Sequence, residues 1–96
     1  MVIEVSKNKQ IGILTINRPD SLNAMNREVL LEFINELKKI QSDKDIRVII
    51  ITGSGEKAFI AGADIKLMQK MNREEAFEFA NLGQELANLI EKSAKP

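Results

Sequence analysis

Two clusters of small residues carry whatever chemistry this chain can do. Val48-Ile49-Ile50-Ile51-Thr52 runs into Gly53-Ser54-Gly55, and Ala61-Gly62-Ala63-Asp64 follows where a helix begins. Glycines after a strand let backbone amides approach something negative. That something is either a phosphate or an oxygen that becomes negative only during a reaction. The phosphate patterns fit poorly. Lys57 follows Glu56 and precedes Ala58, so the spacing G-x-x-x-x-G-K-[ST] fails. Gly53-Ser54-Gly55-Glu56-Lys57-Ala58 satisfies G-x-G-x-x-[GA], but that dinucleotide fingerprint requires a helix opening in the glycines and then a second strand. Phe59-Ile60-Ala61-Gly62 interrupts any such helix. A plainer reading takes the three glycines as turn residues and Asp64 as an ordinary N-cap. It does not say why Ala61, Gly62 and Ala63 are all tiny at the foot of a helix, where N–H groups lack partners. Small side chains there leave a backbone amide open to a ligand, and such an amide can stabilise an oxyanion.

The residue types that are missing sharpen the choice. The 96 residues contain no Cys and no His, which removes thiolate nucleophiles, zinc-thiolate sites, disulfides and the usual neutral-pH base. No metal site is expected. Any proton transfer falls to a carboxylate or lysine, and other help must come from the backbone. Lys+Arg and Asp+Glu both number 14 with the signs interspersed, so there is no electrostatic footprint for nucleic acid or an anionic membrane. Hydrophobic residues at 44% and charged ones at 29% read as a soluble globular domain. No apolar run reaches membrane-spanning length and no signal or transit pattern opens the chain, which makes the cytoplasm the expected compartment.

The elements that must position these residues follow from periodicity. Val2–Val5 and Ile11–Ile16 are β-rich runs, with Ser6-Lys7-Asn8-Lys9-Gln10 as a polar hairpin connection. Residues 17–25 form a loop in which Pro19 disfavours helical geometry at Arg18. Asn26 is a good N-cap with Glu28 in the first turn, and Val29, Leu30, Phe33, Ile34, Leu37 and Ile40 trace one helical face. Val48-Ile49-Ile50-Ile51, apolar at consecutive positions, reads as a central strand covered on both faces. Asp64 opens a short helix through about Lys70, and a longer one from Arg73 carries the stripe Phe79, Leu82, Leu86 and Leu89/Ile90. Gly83 lies on that stripe and suggests close packing against a neighbour. Phe77 and Phe79 read as packing, and Glu74, Glu75 and Glu78 as a solvated face. The predicted order is β-β-α-β-α-α. Ser93-Ala94-Lys95-Pro96 reads as a cut rather than a natural end.

With these elements in place, "RVIIITGSGEKAFIAGADIKLM", Arg47 to Met68, resembles the acyl-CoA-binding signature of the crotonase (enoyl-CoA hydratase/isomerase) superfamily. "INRPDSLNAMN", Ile16 to Asn26, is similar to the family's other N-terminal motif, and the two stand in the family's order and spacing. The resemblance covers essentially the whole chain. It implies an α/β fold, the N-terminal portion of a spiral of β-β-α units, with residues 1–96 as part of one acyl-CoA-binding domain. It implies a homo-oligomer, a trimer or dimer of trimers, and coenzyme A as the substrate carrier with no covalently bound cofactor. Carried over, the Ala63 N–H is one of two oxyanion-hole donors. Ala61, Gly62, Asp64, Ile65 and Lys66 belong to the acyl-CoA pocket, Leu22 and Ala24 flank the CoA from the other loop, and Lys57 is a candidate phosphate contact. The activity implied is addition of water to the α,β double bond of an enoyl-CoA; isomerisation or another reaction of the superfamily is the alternative. A non-catalytic CoA- or dinucleotide-binding module, or a purely structural piece, is the alternative of another class. The family's second oxyanion donor and its catalytic glutamates fall after Pro96, so no carboxylate of this chain takes their role.

Overall fold

The computed structural model describes residues 2–96. β1 (Ile3–Asn8) and β2 (Ile11–Ile16) form an antiparallel hairpin in which Ile3 faces Ile16 and Asn8 faces Ile11. β1 runs three residues further than expected, and only Lys9-Gln10 makes the turn, with Lys9 left-handed at φ 57°. Ser6, Lys7 and Asn8 join the ladder despite their polarity because pairing uses the backbone, and their side chains lie exposed.

α1 (Arg27–Ser42) crosses from β2 to β3 (Val48–Gly53), which pairs parallel to β2 from Ile11↔Val48 to Ile16↔Gly53. A parallel pair needs such a crossover. The Asn26 side chain accepts the Val29 N–H at 2.8 Å and starts the helix as expected. All six residues of the predicted stripe are buried, and they pack against Ile3, Leu14, Ile16, Ile46 and Leu86. Burying such side chains contributes about 1.5–3 kcal/mol each, which makes this layer the main source of stability.

β3 departs from expectation. The sheet order is β1-β2-β3, so β2 is central and β3 is an edge. Ile49 and Ile51 pack on the core, while Val48 and Ile50 on the other face are 39% and 44% exposed. A continuous apolar run meets one covered face here, because α1 lies on one side only. Beyond β3, the Pro96 carbonyl accepts the Ile49 N–H at 2.9 Å.

α2 (Ile65–Gln69) and α3 (Arg73–Glu91) complete the predicted order. α3 opens with a reciprocal cap, Asn72 accepting the Glu75 N–H and Glu75 accepting the Asn72 N–H. Glu74, Glu75 and Glu78 lie exposed as expected, with Glu75 also capping the helix and Glu78 pairing with Arg27. Phe79, Leu82, Leu86 and Leu89 form the predicted stripe and pack on the core, but Ile90 is half-exposed and Phe77 points into solvent, 70% exposed. Apart from its own helix backbone, none of the described residues comes within 4 Å of where a Cβ on Gly83 would lie, so packing among them does not account for it. Among the described residues no helix is long and apolar enough to cross a membrane.

Candidate functional site

The loop after β2 is built around two consecutive left-handed residues, Leu22 at φ 53° and Asn23 at φ 58°. Pro19–Ser21 forms one 3-10 turn that leads into them, with the Leu22 N–H returning to the Pro19 carbonyl at 3.1 Å. Asn tolerates this conformation, whereas a bulky residue such as Leu adopts it only when its surroundings insist. Asn23 supplies that insistence. It is 1% exposed, its Oδ1 accepts the Arg18 N–H at 2.9 Å, and its Nδ2 donates to the carbonyls of Ser54 and Ala58 at 2.9 and 3.0 Å. One buried amide thereby joins the loop after β2 to the loop after β3.

That junction explains the first glycine. A Cβ on Gly53 would stand 2.3 Å from the Phe59 carbonyl oxygen and 2.6 Å from Asn23 Nδ2, so the two loops close only around a bare backbone. Gly55, at φ 83°, is a turn glycine. No helix opens in these glycines; the next begins at Ile65. The dinucleotide arrangement is absent among the described residues; the turn reading holds for Gly55, whereas Gly53 ends β3 and is required by the close approach of the two loops.

The second cluster lies against the same loop. The Ala61 N–H donates to the Leu22 carbonyl at 3.1 Å, the Met25 N–H to the Gly62 carbonyl at 2.8 Å, and the Asp64 N–H to the Met25 carbonyl at 2.8 Å. Met25 and Ala63 thus form a one-residue parallel bridge. The consequence for Ala63 follows from peptide planarity. In a trans peptide the carbonyl and the N–H point in opposite directions. The Gly62 carbonyl points at Met25, so the Ala63 N–H of that same peptide points away from it. Among the described residues no acceptor meets that N–H. Gly62 reaches this orientation at φ 117°, a region open chiefly to glycine. The amide is therefore freed by bridge polarity, not by the end of a helix as the sequence suggested: Asp64 is the N-cap of α2, and Ala63 lies before it.

Asp64 fixes the start of α2. Its Oδ1 accepts the Leu67 N–H at 3.2 Å, and its Oδ2 faces Arg18 Nη2 at 3.4 Å. The Leu67 amide, with help from Arg18, holds this carboxyl below the usual aspartate range, against a smaller opposing effect of burial. It is an anionic cap, unsuited to delivering protons near neutrality.

Ala24, Ala61, Ala63, Asp64, Ile65 and Lys66 line one open groove of about 330 Å³, together with Asp20 and Ser21. Leu22 and Lys57 line a neighbouring groove of about 340 Å³, along with Pro19, Asn23 and the Ser54–Ala58 loop. Gly62 contributes its carbonyl to the bridge. Ile65 is 69% exposed, and Lys57 and Lys66 have no ion-pair partner among the described residues. Sequence reasoning placed Arg18 and Asn23 in a loop, and both hold that loop in shape. It missed the reach of Arg18 across to Asp64 and the pairing of Met25 with Ala63. No local pattern signals either one, since the partners are far apart in the chain.

Comparison with known proteins places this geometry. Residues 6–96 match the family model described as Enoyl-CoA hydratase/isomerase. The chain is 44% identical over 94 residues to the crotonyl-CoA hydratase of Syntrophomonas wolfei, covering 98% of this chain and 36% of that protein. It is 39% identical to the short-chain-enoyl-CoA hydratase of Clostridium acetobutylicum, covering 96% and 35% respectively. The crystal structure of an enoyl-CoA hydratase from Bacillus anthracis superposes with a TM-score of 0.95 at 31% identity, over 100% of this chain and 38% of that one. The chain spans little more than a third of the length of these relatives, and over that span it carries the α/β crotonase fold of their N-terminal portion. It belongs to the enoyl-CoA hydratase/isomerase family.

Proposed function

We propose that this chain supplies the thioester-binding part of an enoyl-CoA hydratase, in which water adds across the α,β double bond of an enoyl-CoA. One observation carries the reading: the Gly62–Ala63 peptide is locked by Met25, its N–H meets no acceptor among the described residues, and Ala63 lies in a groove where Ser21, Ala24 and Ala61 are small. When the water oxygen bonds to Cβ, the π electrons move toward the thioester and negative charge develops on its carbonyl oxygen. A fixed amide meets that charge without reorganising, and one such donor lowers the barrier by roughly 3–4 kcal/mol. The water gives up one proton as its oxygen bonds, a proton is delivered to Cα as the carbonyl reforms, and the net change is H and OH added across the double bond. The Ala63 N–H serves as this donor, and Leu22, Ala24, Ala61, Gly62, Asp64, Ile65 and Lys66 hold the acyl-CoA, with Lys57 near its phosphates. The names of the two relatives support a short-chain enoyl-CoA as substrate.

As the family resemblance implies, we assign proton transfer to groups outside these 96 residues; Asp64, next to the amide, is committed to Leu67 and Arg18. We read residues 1–96 as part of one acyl-CoA-binding domain of a cytoplasmic homo-oligomer, a trimer or dimer of trimers, with coenzyme A as carrier and no other cofactor. The test is an NMR titration with crotonyl-CoA, using NADH for comparison. Selective shifts of the amides of Ala61–Lys66 with crotonyl-CoA are expected, with no hydration by the 96-residue chain alone. NADH-induced shifts at residues 53–58 with none from crotonyl-CoA would overturn the reading.

A further inference from the structure

We propose that Arg18 is a positioning residue for the Ala63 amide, its guanidinium clamping the two backbone segments whose pairing aims that N–H. The proposal rests on the reading of Ala63 as oxyanion donor. Arg18 Nη1 donates to the Ala24 carbonyl at 2.5 Å, and Nη2 reaches Ser21 Oγ and Asp64 Oδ2, each at 3.4 Å. Ala24 immediately precedes Met25, and Asp64 immediately follows Ala63. The fork thus grips one residue on each side of the Met25–Ala63 bridge.

The segments it joins have little else to hold them. α2 buries no residue, and the backbone bonds between them are the three that involve Ala61, Met25 and Asp64. The base of the clamp, by contrast, is rigid. The Arg18 N–H is fixed by buried Asn23 Oδ1, and the Arg18 carbonyl accepts both the Ser21 and Asn23 N–H groups at 3.0 and 2.8 Å. The Arg18 and Asp64 side chains are 18% and 22% exposed, so water competes weakly for the pair. A planar fork holding three acceptors on two segments fixes an orientation that a lysine ammonium, a single point charge, does not reproduce. Orientation matters here because misplacing a catalytic group by about 1 Å can cost on the order of 100-fold in rate.

The test compares R18K and R18M with the parent chain by 15N-labelled amide spectra, first without ligand and then titrated with crotonyl-CoA. Without ligand, both variants should displace the amides of Ala61–Ile65 and leave those of Ser54–Ala58, which Asn23 holds, in place. Apparent affinity for crotonyl-CoA should fall about tenfold or more in R18M and less in R18K. Unmoved Ala61–Ile65 amides in both variants would overturn the proposal. So would a uniform loss of dispersion in both, which would make Arg18 a general support of the fold. If the parent chain showed no crotonyl-CoA shift at Ala63, the oxyanion reading would fall by itself. The ligand-free spectra would still decide the clamp.

Discussion

The two halves of this molecule are held together by different physics. The layer of α1 on the sheet is apolar: Ile3, Leu14, Ile16 and Val29 are fully buried, and Phe33 and Leu37 nearly so. The region from Gly53 to Gln69 contributes no fully buried side chain, and its order comes from hydrogen bonds through Asn23, Arg18 and the Met25–Ala63 bridge. Apolar burial is strong but non-directional, whereas a hydrogen bond contributes less and fixes an angle. A free amide has to be aimed, so a polar scaffold suits the second half. The first half needs only to be stable enough to carry it.

The contrast can be broken most forcefully at Phe33. Phe33→Ala should cost about 3–5 kcal/mol, enough to unfold much of the chain, as read by circular dichroism in urea. A loss near 1 kcal/mol would mean that the α1 layer is not the main support. Asn23→Ala comes next, at about 1–3 kcal/mol, because it strands the Arg18 N–H and the Ser54 and Ala58 carbonyls. Its mark should be local: hydrogen exchange should speed up at residues 53–65 while α1 stays protected. Equal loss of protection everywhere would erase the distinction between the two halves.

A smaller effect should appear with pH. The Asp64 pKa is depressed in the fold, so its contribution is present above the ordinary aspartate pKa and is lost as pH falls through the folded value. The Leu67 amide should therefore titrate below the usual aspartate range, and Asp64→Asn, which keeps a capping oxygen, should abolish that transition. A transition that persists in the variant would place the titrating group elsewhere. The smallest effect belongs to the exposed Lys38–Glu85 pair between α1 and α3, 3.6 Å apart. Lys38→Ala should change stability by no more than about 1 kcal/mol, since water screens such pairs. A larger loss in urea denaturation would show that the first half leans on charge as well as burial.

Much of the first half was legible in the sequence. The Val29–Ile40 stripe, the Asn26 cap and the order of elements are local properties, written in spacing and in side chains that act on their own turn. The misreadings share a cause. Val48–Ile51 looked central because its composition records how apolar it is, not how many faces this chain covers. Phe77 and Gly83 were assigned neighbours by type, and residue type does not say what stands opposite.

The sequence by itself determined the helices and strands, the buried face of α1, the family motifs, and the small residues around Ala63. Only the tertiary structure decided that Gly53 must lack a side chain, that Arg18 reaches Asp64, and that the Ala63 N–H meets no acceptor among the described residues. Each of these depends on partners distant in the chain. The direction of a peptide is set by what its carbonyl meets, and for Gly62 that is Met25.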